Sequence, residues 1–155
     1  MDISNKQKDR LVTIQKSETL WPIDCDIEVQ EVKTSKWATI QWQLKGFSLS
    51  NNKNNTALLE LHRDERTDYR FNLSSHNPKL FVVLDSLESD EQPNIVALTA
   101  SQSIAGQYMD GDYLVLSDDM PLPVQAWMEA FIGRNGELLE QRRKKRKGAG
   151  RSSGK

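Results

Sequence analysis

The sequence predicts an α+β fold, mostly antiparallel β in a roll or a partly open barrel, with a short helix and a C-terminal amphipathic helix. Three observations carry the prediction. Ile23, Cys25, Ile27 and Val29 alternate with polar residues, the period of two of a half-buried strand. Further extended stretches outnumber the helical ones and lack the regular strand and helix alternation of a βαβ sheet. Val124, Trp127, Met128, Phe131 and Ile132 keep the i, i+3, i+4, i+7, i+8 spacing that puts them on one face of a helix.

In chain order, residues 1–9 are polar and predict a flexible terminus, after which Leu11, Val12 and Ile14 suggest a short strand or arm. Ile23 opens the folded pattern. Ala38, Ile40, Trp42 and Leu44 alternate with Trp37, Thr39, Gln41 and Gln43 in a second strand, where Gly46 marks a bulge or the end. Ser and Asn dominate 48–55, an exposed loop. Residues 57–63 and 68–73 flank a charged, turn-prone Asp64-Glu65-Arg66-Thr67, which predicts a hairpin with Leu59 and Leu61 facing Tyr69, Phe71 and Leu73. Asn77-Pro78 turns the chain, and the continuously apolar 80–84 predicts a central strand covered on both faces. An acidic loop over 85–93 leads to a strand at 95–98. Ser101 suits the N-cap of a short helix through Ile104, Ala105, Tyr108 and Met109, with Gly111 suited to a left-handed stop. A strand at 113–116 precedes the last helix, which Asp118 or Asp119 would cap, whose first turn accepts Pro121 and Pro123, and which Gly133 and Gly136 weaken or end. Residues 10–136 thus make one β-rich domain, and 137–155 a basic disordered tail.

A length of 155 residues with 37% apolar and 28% charged residues supports one domain with its own core. The single Cys25 cannot form an internal disulfide, no secretory h-region opens the sequence, and no apolar run approaches a membrane span, so a cytoplasmic location is expected. Residues 142–155 carry eight Lys or Arg and no acid, leaving 13 basic against 22 acidic residues elsewhere. An acidic body of this kind repels nucleic acid over most of its surface.

No motif for catalysis, metal or cofactor binding emerges. One Cys with His62 and His76 cannot supply a structural zinc set, and Asp110-Gly111-Asp112 lacks the rest of a calcium loop. The terminal Gly150 to Gly154 run is one residue short of a phosphate loop and has no strand before it. His62 reads as a surface residue on a hairpin strand rather than a catalytic base. The run Arg142-Arg143-Lys144-Lys145-Arg146-Lys147 could bind nucleic acid as a regulatory tail, but it has no interleaved aromatics on which bases stack.

The more informative constellation gathers His62, Arg63, Tyr69, Arg70 and Asn72 on the predicted hairpin, with Trp37 and Trp42 adding aromatic area. These are residue types of protein interaction hot spots. The competing reading makes Tyr69, Trp37 and Trp42 core residues and pairs the Arg with Asp64, Glu65 or Asp68.

The stretches Leu59-Glu60-Leu61-His62-Arg63, Tyr69-Arg70-Phe71-Asn72-Leu73 and Phe81-Val82-Val83-Leu84 resemble a bacterial family of unknown function whose genes commonly sit beside formate dehydrogenase operons. Thr99-Ala100-Ser101, Tyr108-Met109-Asp110-Gly111, Met120-Pro121, Trp127, Phe131 and the basic run extend the resemblance. It implies a non-catalytic accessory or maturation role for a molybdenum-dependent formate dehydrogenase, with that enzyme's subunits or their maturation chaperones as partners and no cofactor of its own. Some relatives carry a molybdopterin guanine dinucleotide synthesis label, yet the Gly-rich nucleotide motif such a transferase requires is absent here.

Overall fold

The computed structural model of the chain describes residues 15–49, 55–85 and 93–136. Its strands are β1 (Leu20–Lys33), β2 (Ala38–Ser48), β3 (Thr56–Glu60), β4 (Lys79–Leu84), β5 (Ile95–Thr99) and β6 (Leu114–Asp119). Three helices accompany them, α1 (Arg66–Leu73), α2 (Gln102–Met109) and α3 (Leu122–Asn135), with a 3-10 turn at Arg63–Glu65 leading into α1. The strands form one sheet in the order β2-β1-β3-β5-β4-β6, and only the β3 to β5 pairing is parallel. The outer strands β2 and β6 approach one another, and Asp118 Oδ2 lies 3.7 Å from where a side chain on Gly46 would start. The sheet therefore curls into a nearly closed barrel, an α+β fold as the strand-rich pattern predicts.

Alternation fixes what faces inward. Ile23 and Cys25 of β1, Leu59 of β3, and Leu80, Val82 and Leu84 of β4 are fully buried in one core. The predicted stripe of α3 closes that core: Val124, Trp127, Met128, Phe131 and Ile132 are all buried, and Trp127 meets Trp21 edge to face with centroids 5.2 Å apart. Each such large apolar side chain stabilises the fold by about 1.5–3 kcal/mol relative to exposure. Helix α2 lies over the other face of the sheet, where Val83 and Ala105 are buried apart from the main core. This explains the unbroken apolar run of β4, which lies between β5 and β6 with both faces covered.

Several local expectations are corrected. Residues 68–73 are not the second strand of a hairpin but helix α1, and β3 ends at Glu60. The apolar period of two through Tyr69, Phe71 and Leu73 misleads because Phe71 is 73% exposed. The spacing that matters is Arg66, Tyr69 and Leu73, at i, i+3 and i+7 on the inward helix face. Asp64 and Glu65 favour this helix by placing negative charge at its positive end. Asp118 and Asp119 belong to β6, and Pro121 is the residue that enters α3. Gly111 does not adopt a positive φ, since Asp110 ends α2 in the right-handed helical region. Gly136, at φ 79°, ends α3, whereas Gly133 lies within it. Ser101 does cap α2, accepting the Ile104 N–H at 3.1 Å. Gly46 does lie at a bulge: Asp26 pairs with Gly46 and Ile27 with Leu44, leaving Lys45 as the extra residue.

Strand β3 pairs with β1 only over Leu20–Asp24. Past Glu28, β1 has only β2 beside it among the described residues, so the two strands form a two-stranded arm. Val29 faces Trp42 across it and Glu31 faces Ile40, continuing the face that lines the barrel interior. The outer face carries Gln30 and Gln43, which are hydrogen bonded to each other.

Candidate functional site: a cationic groove and an apolar arm

The loop between β3 and α1 is shaped by Tyr69. This side chain reaches back from the first turns of α1 into the core and packs edge to face on Phe131, with centroids 6.2 Å apart. Its hydroxyl accepts the His62 N–H at 2.9 Å and donates to Glu65 Oε1 at 2.7 Å. Burial pushes the phenol pKa far above the usual tyrosine range, with the hydrogen bond from His62 opposing and Glu65 reinforcing the shift. Tyr69 is thus a structural clamp, and it holds His62 and Arg63 outward on an exposed step.

Arg66 joins this step to the end of α3. It is 6% exposed, and it donates from Nε to the Arg63 carbonyl at 2.7 Å and from Nη1 to the Gly136 carbonyl at 2.7 Å and to the Asn135 carbonyl. The cation lies against the negative end of the α3 dipole. Between the step and α3 runs an open groove of about 960 Å³, walled by Leu61, His62, Arg63, Arg66, Phe131 and Arg134. Glu18 and Asp64 also reach its rim, with Glu18 paired to Arg134 at 3.5 Å.

The other residues singled out in the sequence do not gather there. Arg70 forks onto Glu129 of α3, with Nη2 to Oε1 at 2.8 Å and Nη1 to Oε2 at 3.1 Å, and this hydrogen bonding holds the Glu129 carboxyl below its usual pKa. Asn72 donates to the carbonyls of Lys79 and Ala100 at 2.7 and 2.9 Å and accepts the Lys79 N–H at 2.9 Å, tying α1 to β4 and to the residue after β5. Trp42 is partly buried on the arm, and Trp37, at 68% exposure, stands at the arm's tip. Val29 and Ile40 on the arm are also exposed. The predicted cluster therefore separates into a groove edge with His62 and Arg63, a framework of Tyr69, Arg70 and Asn72, and the distant arm.

The sequence reading missed Arg66, Arg134 and Phe131 as groove residues. The helical spacing of Arg66 with Tyr69 and Leu73 was the available signal. The basic run Arg142 to Lys147 lies outside the described residues, as do the Leu11 to Ile14 stretch and most of the two predicted loops. Among the described residues no group of three or more His, Cys, Asp or Glu could hold a metal ion, and no helix is long and apolar enough to cross a membrane.

A family model described as "Protein of unknown function (DUF3305)" matches residues 26–146. The chain belongs to the DUF3305 family. The DUF3305 match begins in β1 at Asp26 and takes in the whole arm, the groove wall from Leu61 to Arg134 and most of the basic run. Glu18, which pairs with Arg134 at the groove rim, precedes it. Comparison with curated proteins and with solved structures gives no match.

Proposed function

We propose that this DUF3305 protein is a non-catalytic accessory or maturation factor for a molybdenum-dependent formate dehydrogenase, acting in the cytoplasm by contact with the enzyme's subunits or their maturation chaperones. The sequence resemblance supplies the enzyme. The structural observation that supports protein contact is the arm, on which Trp37, Val29 and Ile40 are exposed at 68%, 52% and 43%. Apolar side chains gathered on a projecting element are the usual mark of a protein interface, and Trp is the residue type that most often anchors one. A two-stranded ribbon is only marginally stable by itself, so a partner that covers it also stabilises the ribbon.

The test is formate dehydrogenase activity in cells deprived of this protein and then supplied with the parent or with a Trp37→Ala variant. The parent restores activity and the variant does not, although both accumulate and melt alike because Trp37 is exposed. Full activity in cells without the protein would overturn the proposal.

A further inference from the structure

We infer that the groove between the His62 to Asp64 step and the end of α3 is a receptor for an extended acidic peptide segment, with Arg66 and Arg63 holding a carboxylate of that segment. This does not rest on the partner assigned to the arm.

Arg66 is the first reason. Arg66 is only 6% exposed as a residue, and a buried guanidinium is normally matched by a carboxylate, because an unpaired buried charge is costly. Here its partners are all backbone carbonyls, of Arg63, Asn135 and Gly136, and no carboxylate of the described residues forms an ion pair with it. The carbonyls at the end of α3 offset part of the charge. They leave Nη2, with its two N–H groups, without a hydrogen bond among the described residues, in a side chain that lines the groove. A planar fork with one edge unused matches the two oxygens of a carboxylate.

Arg63 is the second reason. It lies on the same wall, is exposed, and forms no ion pair among the described residues. With Arg134 and Glu18 paired to each other, the groove presents two further guanidiniums, of Arg63 and Arg66, against the single carboxylate of Asp64. Outside residues 142–155 the chain carries 22 acidic and 13 basic side chains, so this is a local reversal of sign. Attraction here selects an anionic partner and orients it.

Shape selects the peptide. A groove of about 960 Å³, open to solvent, is far larger than a single small anion needs, and its exposed rim at His62 and Arg63 gives an extended chain room to lie along it.

The test is a backbone amide NMR titration of the full chain with a hexaglutamate peptide, with hexaglutamine and sodium acetate as comparison ligands. Hexaglutamate shifts the amides of residues 62–66 and 134–136, and an Arg63→Gln variant, exposed and hence folded, binds at that site about tenfold or more weakly. Hexaglutamine leaves these amides in place. Shifts confined to residues 142–147, equal groove binding by the Arg63→Gln variant, or acetate binding as tightly as the peptide would each overturn the proposal.

Discussion

The hydroxyl of Tyr69 accepts the backbone N–H of His62 at 2.9 Å, so the buried ring of one helix sets the path of the exposed loop before it. The same oxygen donates to Glu65 at 2.7 Å. Tyr69→Phe keeps the ring on Phe131 and removes only these bonds. It should lower stability by about 1–3 kcal/mol, because the His62 N–H loses its acceptor. Chemical denaturation of both proteins checks the size. The raised phenol pKa adds a sign: the unfolded chain ionises Tyr69 near its ordinary value of 10.0 while the native chain does not. The contribution of neutral Tyr69 to stability is therefore complete below pH 10 and declines above it, and the Phe variant lacks this decline.

The pair between Arg70 and Glu129 joins α1 to α3 on a partly exposed surface. Glu129→Gln should cost less than about 1 kcal/mol at neutral pH, since solvent screens the pair. The Glu129 carboxyl is held below its ordinary value of 4.5, first by the hydrogen bond from Arg70. Its stabilisation is thus fully present above pH 4.5 and is lost as the pH falls through the lower folded value. Thermal melts from pH 7 to pH 3 should show parent and variant converging on the acid side, and a gap that widens toward acid would contradict this.

Cys25 is fully buried on β1, and burial, aided by the charge of Asp24, pushes its thiol up to about 12. The thiolate is the reactive form. Iodoacetamide at pH 8 should leave Cys25 intact in the native protein and alkylate it in denaturant, as read by intact-mass spectrometry.

Ser101 binds two helices together. Its Oγ accepts the Ile104 N–H at the start of α2 and donates to Asp68 Oδ2 of α1 at 2.6 Å. Ser101→Ala should destabilise the protein by about 1–2 kcal/mol, within the range for a lost N-cap, and Ser101→Thr should recover part of it. Urea midpoints of the two variants decide this.

What could be read from the sequence follows from where one physical rule acted alone. The stripe of α3 and the alternation of β1 each fit a single period, and the apolar run of 80–84 had one explanation, burial on both faces. Residues 66–73 fitted two periods at once, because Tyr69 and Leu73 are four apart and satisfy both a strand and a helix. The long-range fact that decides between them is the place Tyr69 takes against Phe131, which no local pattern contains. The same misreading placed Arg70 and Asn72 in one binding patch with Arg63, whereas the helix turns them toward Glu129 and Lys79. Arg66 reads as a turn residue because a buried arginine is rare, and two of its three carbonyl partners lie about seventy positions away at the end of α3.

The measurement that bears most directly on the proposed role is an affinity capture from native lysate with the tagged parent and the Trp37→Ala variant, followed by mass spectrometry. Formate dehydrogenase subunits or their dedicated chaperones should be retained by the parent and lost with the variant. Their absence from the parent's captured proteins, or equal retention by both, would contradict the assignment of that contact to the arm.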